Sequence, residues 1–189
     1  MRKLAIIFAL STSPLMAQDV ADGPGPNLVI EIAGETSGTV VIDLLEDIAP
    51  EHVAQIVALA EEGAYDGVVF HRVIEGFMAQ TGDVEFGKAG GDMSMAGRGG
   101  SERGEIRAEF SDVPFDRGIV GMARSQDPNS ANSQFFIMFD EGYFLNGQYT
   151  VFGRVVEGMD IVDTIKLGKG ANGSVIGEPD QMMSVRVAK

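Results

Sequence analysis

The sequence contains no cysteine, only two histidines, and only 14 Lys or Arg residues against 28 Asp or Glu residues. Without cysteine the chain can form no disulfide, thiol nucleophile, zinc ribbon or iron–sulfur cluster. His52 and His71 are not spaced as a metal-ligand pair, so we expect neither a metal site nor another cofactor. The formal charge of -14 repels phosphate backbones and anionic membranes, which argues against nucleic-acid binding.

The remaining composition is that of an ordinary globular chain. Of the 189 residues, 44% are hydrophobic and 22% are charged, which is enough apolar material for a core of normal size. One folded domain is the simplest expectation for this length.

The N-terminus has the pattern of a secretory signal peptide. Arg2 and Lys3 precede an apolar run over residues 4–10, and Ala17 offers a small residue for cleavage. The run is too short to span a bilayer, so no stable membrane insertion is expected after cleavage. The alternative is a buried N-terminal strand or helix. Removal of residues 1–17 would change the formal charge from -14 to -16, because two basic residues and no acidic residue are lost.

This pattern predicts an exported protein, periplasmic if the source is a Gram-negative bacterium. Residues 18–26 contain two Gly-Pro pairs and are expected to form a flexible lead-in. The folded domain is then predicted to cover residues 27–189.

Short β-branched runs dominate the predicted secondary structure. Two of them, at 28–32 and 39–44, are separated by a glycine-containing turn and indicate a hairpin. Further strands are predicted at 67–74, 77–81, 118–123, 133–139, 150–156 and 183–187, and helices at 50–60 and 159–166. Many short strands with two helices favour an antiparallel sheet that closes on itself and is capped.

Residues 82–104 carry eight glycines and few aliphatic side chains, which indicates a long surface loop. Loops of this length are usually functional or mobile.

Two familiar motifs occur in the sequence but fail on their context. Residues 168–173 match GxGxxG but follow a predicted helix and lead into no other, and residues 82–88 resemble a P-loop that lacks the following hydroxyl residue. No GxSxG element supports a serine nucleophile. His52, at the start of a predicted helix, is interpreted as a solvated or capping group.

Five separated segments occur in a characteristic order. They are residues 70–83 (FHRVIEGFMAQTGD), 121–124 (GMAR), 133–137 (SQFFI), 143–147 (YFLNG) and 151–155 (VFGRV). From about residue 28 onward the chain resembles the cyclophilin family of peptidyl-prolyl cis-trans isomerases. The resemblance implies an all-β dominated fold, a closed eight-stranded antiparallel β-barrel capped by two α-helices. It also implies an isomerase of X–Pro bonds that binds proline-containing polypeptides and assists the folding of exported proteins.

The resemblance also assigns roles to individual residues. Arg72 would be catalytic, donating to the proline nitrogen of the twisted amide in a non-covalent mechanism. The residues assigned to substrate binding are Phe77, Met78, Gln80, Ala123, Arg124, Gln134, Phe136, Phe144, Leu145 and Tyr149. Strand alternation places Met78 and Gln80 on one face, so Phe77 would point away unless Gly76 bends the strand. His71 should face away from Arg72 and is interpreted as structural.

Two positions depart from the commonest family pattern. Phe144 stands where many members have Trp, and Tyr149 where they have His, and both changes resemble bacterial exported cyclophilins. Loss of the indole N–H, which cyclosporin uses in Trp-containing members, predicts weak cyclosporin binding. Arg124 is also unusual and adds a positive charge beside the groove.

Two other functions are compatible with the sequence. One is a module that binds proline-containing segments with little turnover, and the other is an acidic structural protein of the envelope. Each proposed site residue taken alone is an ordinary core aromatic or surface arginine. An intact Arg72 within the ordered set favours the enzyme.

Overall fold

The structure is a computed structural model that describes residues 22–189. The predicted signal peptide over residues 1–17 and residues 18–21 of the lead-in lie outside the described residues, so these assignments stay predictions. The described end of the lead-in contacts the sheet: the Gly23 N–H donates to Asp43 Oδ2 at 3.2 Å, and the Leu44 N–H donates to the Pro26 carbonyl at 3.0 Å.

One antiparallel sheet of nine strands forms the body of the protein. The strands are β1 (Asn27–Ala33), β2 (Gly38–Leu44), β3 (Val68–Val69), β4 (Arg72–Ile74), β5 (Met78–Thr81), β6 (Ile119–Met122), β7 (Phe135–Met138), β8 (Val151–Glu157) and β9 (Gln181–Ala188). Their order across the sheet is β3-β9-β1-β2-β8-β6-β7-β5-β4. β1 and β2 form the predicted hairpin.

The two edge strands of this order are consecutive in the chain. β3 and β4 are separated only by Phe70 and His71, so a continuous segment leads from one edge of the sheet to the other. The single strand predicted at 67–74 is in fact these two short strands, which accounts for nine strands where eight were expected. The all-β antiparallel architecture with two helices is confirmed.

The inward faces of β1 and β2 supply much of the core. Leu28, Ile30, Val40 and Ile42 are fully buried, and their spacing of two residues matches the strand period. The helix α1 (Pro50–Glu61) covers this core with an apolar face that includes Ile56. Burial of each large aliphatic side chain contributes about 1.5–3 kcal/mol.

The start of α1 corrects one interpretation from the sequence. His52 is buried rather than solvated, and its Nδ1 lies 2.6 Å from Glu109 Oε2. The carboxylate of Glu109 also accepts the backbone N–H groups of Glu51 and His52 at 3.2 and 3.1 Å. Glu109 therefore caps this helix, and Pro50 at its first position needs no partner for a backbone N–H.

The second helix, α2 (Met159–Val162), is shorter than the predicted 159–166. The Asp163 N–H donates to the Met159 carbonyl at 3.1 Å, but the next two N–H groups donate to carbonyls three residues back. The chain thus tightens into turns after Val162. The segment packs its apolar side chains inward through Val162 and Ile165, which are both buried, so only the helical length was wrong.

The glycine-rich loop at 82–104 is organised around a fully buried carboxylate. Asp83 Oδ1 accepts the N–H groups of Glu85 and Phe86 at 3.2 and 2.8 Å, and Oδ2 accepts those of Gly97 and Gly99 at 2.7 and 3.0 Å. The two bonds from Gly97 and Gly99 hold the far end of the loop close to the end of β5.

Candidate active site

Three site residues lie side by side across three strands. Arg72 of β4 is paired with Gln80 of β5, and Gln80 is paired with Phe136 of β7. Directly paired residues in antiparallel strands project to the same face of the sheet. The register therefore brings an arginine, an amide and an aromatic ring together on one surface.

A cavity of about 330 Å³ opens on this surface. The lining residues are Arg72, Phe77, Met78, Gln80, Ala123, Arg124, Phe136, Phe144, Leu145 and Tyr149. The structure thus brings together every site residue expected from the sequence except Gln134.

The floor of the cavity is apolar and tightly packed. Met78, Phe136 and Leu145 are buried, and Phe115 stacks behind Phe136 with ring centroids 5.8 Å apart. A side chain at Gly121 would meet both rings, because an added Cβ would lie 2.6 Å from Phe136 and 2.7 Å from Phe115. The absence of a side chain at Gly121 therefore leaves room for the aromatic floor.

The rim carries a second aromatic pair. Phe144 is 65% exposed and its ring centroid lies 5.5 Å from that of Phe77. Phe77 reaches the same cavity as Met78 because it precedes β5 and belongs to a turn, in which its N–H donates to the Ile74 carbonyl at 3.0 Å. Gly76 has a φ of 66° in this turn, a conformation that glycine adopts readily.

Polar neighbours hold Arg72 on two sides. Its Nη1 donates to Gln80 Oε1 at 3.1 Å, and its Nε donates to the Asn172 carbonyl at 2.9 Å. Burial lowers the pKa of the guanidinium, while the nearby Tyr149 acts in the opposite direction. A half-buried arginine of this kind is a fixed donor at the edge of an apolar cavity.

Gln134 acts on the cavity through Gln80. The Gln80 Nε2 donates to Gln134 Oε1 at 3.0 Å, and the Gln134 Nε2 donates to the Gly99 carbonyl at 2.8 Å. Each amide accepts at its oxygen and donates at its nitrogen, so the orientation of both is determined. This series connects Arg72 to the glycine-rich loop.

Arg124 is held differently from Arg72. Its Nε and Nη2 donate to the Gln148 carbonyl at 3.1 and 2.8 Å, and its Nη1 donates to the Ser125 carbonyl at 2.8 Å. Its Cζ lies 4.3 Å from the centroid of the Tyr149 ring, a cation–π distance. Arg124 and Tyr149 therefore form part of the wall of the cavity.

Most of the chain matches the model of a known protein family. The model of the family described as "Cyclophilin type peptidyl-prolyl cis-trans isomerase/CLD" matches residues 28–187. The chain belongs to the cyclophilin family. The order of the five motifs had indicated this family and activity, and both are confirmed: the chain is a cyclophilin-type peptidyl-prolyl cis-trans isomerase.

Bacterial relatives support the assignment. This cyclophilin is 53% identical over 185 residues to a probable peptidyl-prolyl cis-trans isomerase of Brucella suis, a match that covers 97% of this chain and 92% of the relative. It is 41% identical over 138 residues to peptidyl-prolyl cis-trans isomerase B of Escherichia coli, covering 68% and 79% of the two chains.

Solved cyclophilin structures share the fold. A cyclophilin from Hirschia baltica superposes with a TM-score of 0.69 at 28% identity, covering 87% of this chain and 74% of its own. A cyclophilin type isomerase from Cryptosporidium parvum, determined in the presence of the dipeptide Ala-Pro, gives a TM-score of 0.71 at 25% identity, covering 86% and 99%.

A larger cleft of about 950 Å³ adjoins the cavity in this cyclophilin. Gln80, Ala123 and Arg124 line both spaces, and Gln134 lines only the cleft. The remainder of the cleft is lined mainly by polar and charged residues of the glycine-rich loop and of residues 123–134.

Two neighbours of Arg72 in the cyclophilin lie beside the cavity and do not line it. His71 is buried against Gly97, and burial lowers its pKa to about 4, with Asp83 acting to raise it and Arg72 to lower it. Asn172, which contacts Arg72, was not predicted from the sequence. Its signal was the Asn-Gly pair at 172–173, a turn marker inside the segment rejected as a dinucleotide loop.

In residues 22–189 no group of three His, Cys, Asp or Glu side chains is arranged to hold a metal ion. Over the same range no helix has the length and apolar character needed to cross a bilayer.

Proposed function

We propose that Arg72 stabilises the twisted amide during X–Pro isomerisation, while the apolar cavity holds the proline ring. The observation that carries this proposal is the position of the Arg72 guanidinium beside the floor formed by Met78 and Phe136. The Ala-Pro dipeptide present with the Cryptosporidium parvum isomerase supports a proline-containing peptide as the ligand.

The stabilisation that Arg72 can supply can be compared with the barrier to rotation about the peptide bond. Rotation about the peptide bond has a barrier of roughly 18–20 kcal/mol, because resonance is lost in the twisted state. A turnover of ~10–10³ per second needs about 4–7 kcal/mol of selective stabilisation. A charge-assisted hydrogen bond contributes about 1.5–3 kcal/mol. The arginine would therefore supply part of the total, and the fixed shape of the cavity the rest.

The chemistry needs no covalent intermediate. When the amide twists, its nitrogen becomes pyramidal and basic, and a guanidinium N–H can donate to it. The planar ground state offers no such lone pair, so the interaction favours the transition state over the substrate. Gln80 and the backbone near Ala123 would bind the peptide groups on either side.

The test is a proline-peptide isomerisation assay on Arg72→Ala. Loss of one charged hydrogen bond should lower kcat/KM by about 10- to 100-fold. Arg186→Ala is the matched control, because Arg186 is an exposed arginine on β9 that does not line the cavity. Equal rates for wild type and Arg72→Ala would end the assigned mechanism.

A second measurement separates the enzyme from a proline-binding module with little turnover. Exchange NMR on a peptide with a resolved cis form measures binding and isomerisation together. A module would bind the peptide without accelerating exchange, whereas the enzyme accelerates exchange in the wild type and binds with little catalysis in Arg72→Ala.

We also propose that this isomerase is exported and acts on exported proteins as they fold. The charged start, apolar run and small residue at Ala17 support export, and Phe144 and Tyr149 support the likeness to bacterial exported cyclophilins. Fractionation of cells followed by mass spectrometry should find a chain that begins at Gln18 outside the cytoplasm. A full-length chain confined to the cytoplasm would contradict this.

We also propose, separately from export, that this isomerase binds cyclosporin weakly. Phe144 supplies an exposed ring at the rim but no N–H donor. Calorimetry should give a dissociation constant well above nanomolar for the wild type, and Phe144→Trp should tighten binding while leaving the chain folded. A nanomolar constant for the wild type would refute the proposal.

A further inference from the structure

The segment at 168–174 lies alongside the strand that carries Arg72. Arg72 and Ser174 form an antiparallel bridge, the Gly168 N–H donates to the Val73 carbonyl at 2.9 Å, and the Val175 N–H donates to the His71 carbonyl at 3.0 Å. These bonds attach the segment to β4 and its flanking residues. The segment is therefore hydrogen-bonded along the strand whose Arg72 side chain lines the cavity.

The segment approaches β4 too closely for ordinary side chains. A Cβ at Gly173 would lie 2.3 Å from Ile74 Cγ1, and one at Gly168 would lie 2.9 Å from the Val73 carbonyl oxygen. The glycines that suggested a nucleotide-binding loop in the sequence thus serve close packing of backbone against the strand.

Asn172 is the point of contact with the guanidinium. Its backbone carbonyl accepts from Arg72 Nε at 2.9 Å, and its side-chain Oδ1 accepts from Arg72 Nη2 at 3.3 Å. Within residues 22–189 it is the only non-glycine residue with a positive φ, at 55° with ψ of 28°. Asparagine tolerates this left-handed conformation better than most residues.

We propose that Asn172 is a positioning residue for isomerisation, one that holds the Arg72 guanidinium in the orientation needed at the cavity. Asn172 holds the Nε and Nη2 groups, while Gln80 holds Nη1 at 3.1 Å. An arginine held from both sides before substrate arrives has fewer rotamers to lose in the transition state. This inference rests on the role proposed for Arg72.

Three substitutions of Asn172 separate its backbone and side-chain contributions. Asn172→Gly keeps the positive φ and the carbonyl but removes Oδ1, and should lower kcat/KM by about threefold. Asn172→Asp retains an acceptor at Oδ1 and should remain within about twofold of wild type. Asn172→Val disfavours the left-handed conformation, so the carbonyl turns away and kcat/KM should fall by about tenfold or more.

Lys169→Ala is the control within the same segment, because Lys169 is exposed and does not line the cavity. It should leave kcat/KM unchanged. Thermal unfolding of every variant shows whether it is folded, and the ¹⁵N-detected Arg72 Nη2–H signal in Asn172→Gly reports the loss of the bond to Oδ1 even if Asn172→Val does not fold. That signal should shift in Asn172→Gly and stay in place in Lys169→Ala.

A double-mutant cycle with Arg72→Ala distinguishes positioning from a merely structural role. If Asn172 acts through Arg72, Asn172→Val should have little further effect on the residual rate of Arg72→Ala. An equal loss in both backgrounds would overturn the inference. If Arg72→Ala is impaired but all Asn172 variants match wild type, only the inference on Asn172 fails, whereas a fully active Arg72→Ala removes the proposed function itself.

Discussion

The small cavity and the larger cleft share Gln80, Ala123 and Arg124 but are built in different ways. Four residues that line the cavity lie on three paired strands, and its apolar floor is almost completely buried. The cleft is formed by loops held in place by hydrogen bonds, such as those that Asp83 accepts from Gly97 and Gly99 and the one from Gln134 to the Gly99 carbonyl. Close packing is thus concentrated at the cavity, where the proline ring is proposed to bind, and mainly polar loop residues line the cleft beside it.

The largest expected effect is on the cavity floor. Phe136→Ala should lower the free energy of unfolding by about 3–5 kcal/mol, because it removes a ring packed between Phe115 and Tyr149. Phe110→Ala, a change at a ring that is 45% exposed, is the control and should cost much less. Urea unfolding measures both. A loss for Phe136→Ala no larger than that for Phe110→Ala would show that the floor is not the packed element inferred here.

The next effect concerns His71, which lies between the cavity and the loop of the cleft. Its pKa is lowered to about 4, mainly by burial, whereas an unfolded histidine titrates near pH 6.5. The unfolded state therefore binds more protons between these values, and the free energy of unfolding should fall by up to about 3 kcal/mol as pH drops through this range.

Above pH 6.5 His71 should contribute no pH dependence. Unfolding curves of wild type and His71→Gln recorded from pH 7.5 to pH 4 provide the measurement. The variant should be flatter than the wild type below about pH 6.5. Parallel profiles would mean that the ring is not kept neutral by its surroundings.

A smaller effect is expected where the two spaces are connected. Gln134→Ala breaks the bonds from Gln80 and to Gly99, so kcat/KM should fall by about two- to tenfold with the fold intact. Asn132→Ala is a useful comparison, because Asn132 bonds Ser101 in the cleft but does not contact Gln80 in this series. Equal activity losses would indicate that the loop matters as a whole and that the Gln134 link has no special part.

The smallest effect is expected at the outer wall of the cleft. Arg103 and Glu62 form an exposed ion pair there. Arg103→Ala should change the isomerisation of a short proline peptide by less than about twofold, since exposed pairs contribute little. A loss comparable with that of Gln134→Ala would erase the distinction between cavity and cleft.

Several parts of the fold and site could be predicted because their signals are local. The hairpin of β1 and β2 follows from β-branched runs around a glycine turn, and the cavity residues follow from segments whose order along the chain is distinctive. The position of Phe77 could not be decided by alternation, because alternation applies within a strand and β5 begins only at Met78.

The features that escaped prediction depend on contacts distant in the sequence. Glu109 caps a helix that begins at Pro50, and Asn172 holds an arginine at position 72. No local pattern relates such residues to their partners. The early end of α2 escaped prediction for a different reason, because local backbone hydrogen bonds end the helix at Val162 while apolar residues continue to Ile165.

The position of β9 has a consequence for how this isomerase is made. β9 pairs with β1 and with β3, so residues 181–188 complete contacts to strands synthesised long before them. Bringing such distant segments together is the slow part of forming a β-rich fold. Until β9 is in place, β1 is paired only with β2, and β3, which ends three residues before Arg72, has no partner strand. We therefore expect the segment that carries Arg72 to reach its final position only after residues 181–188 have joined the sheet.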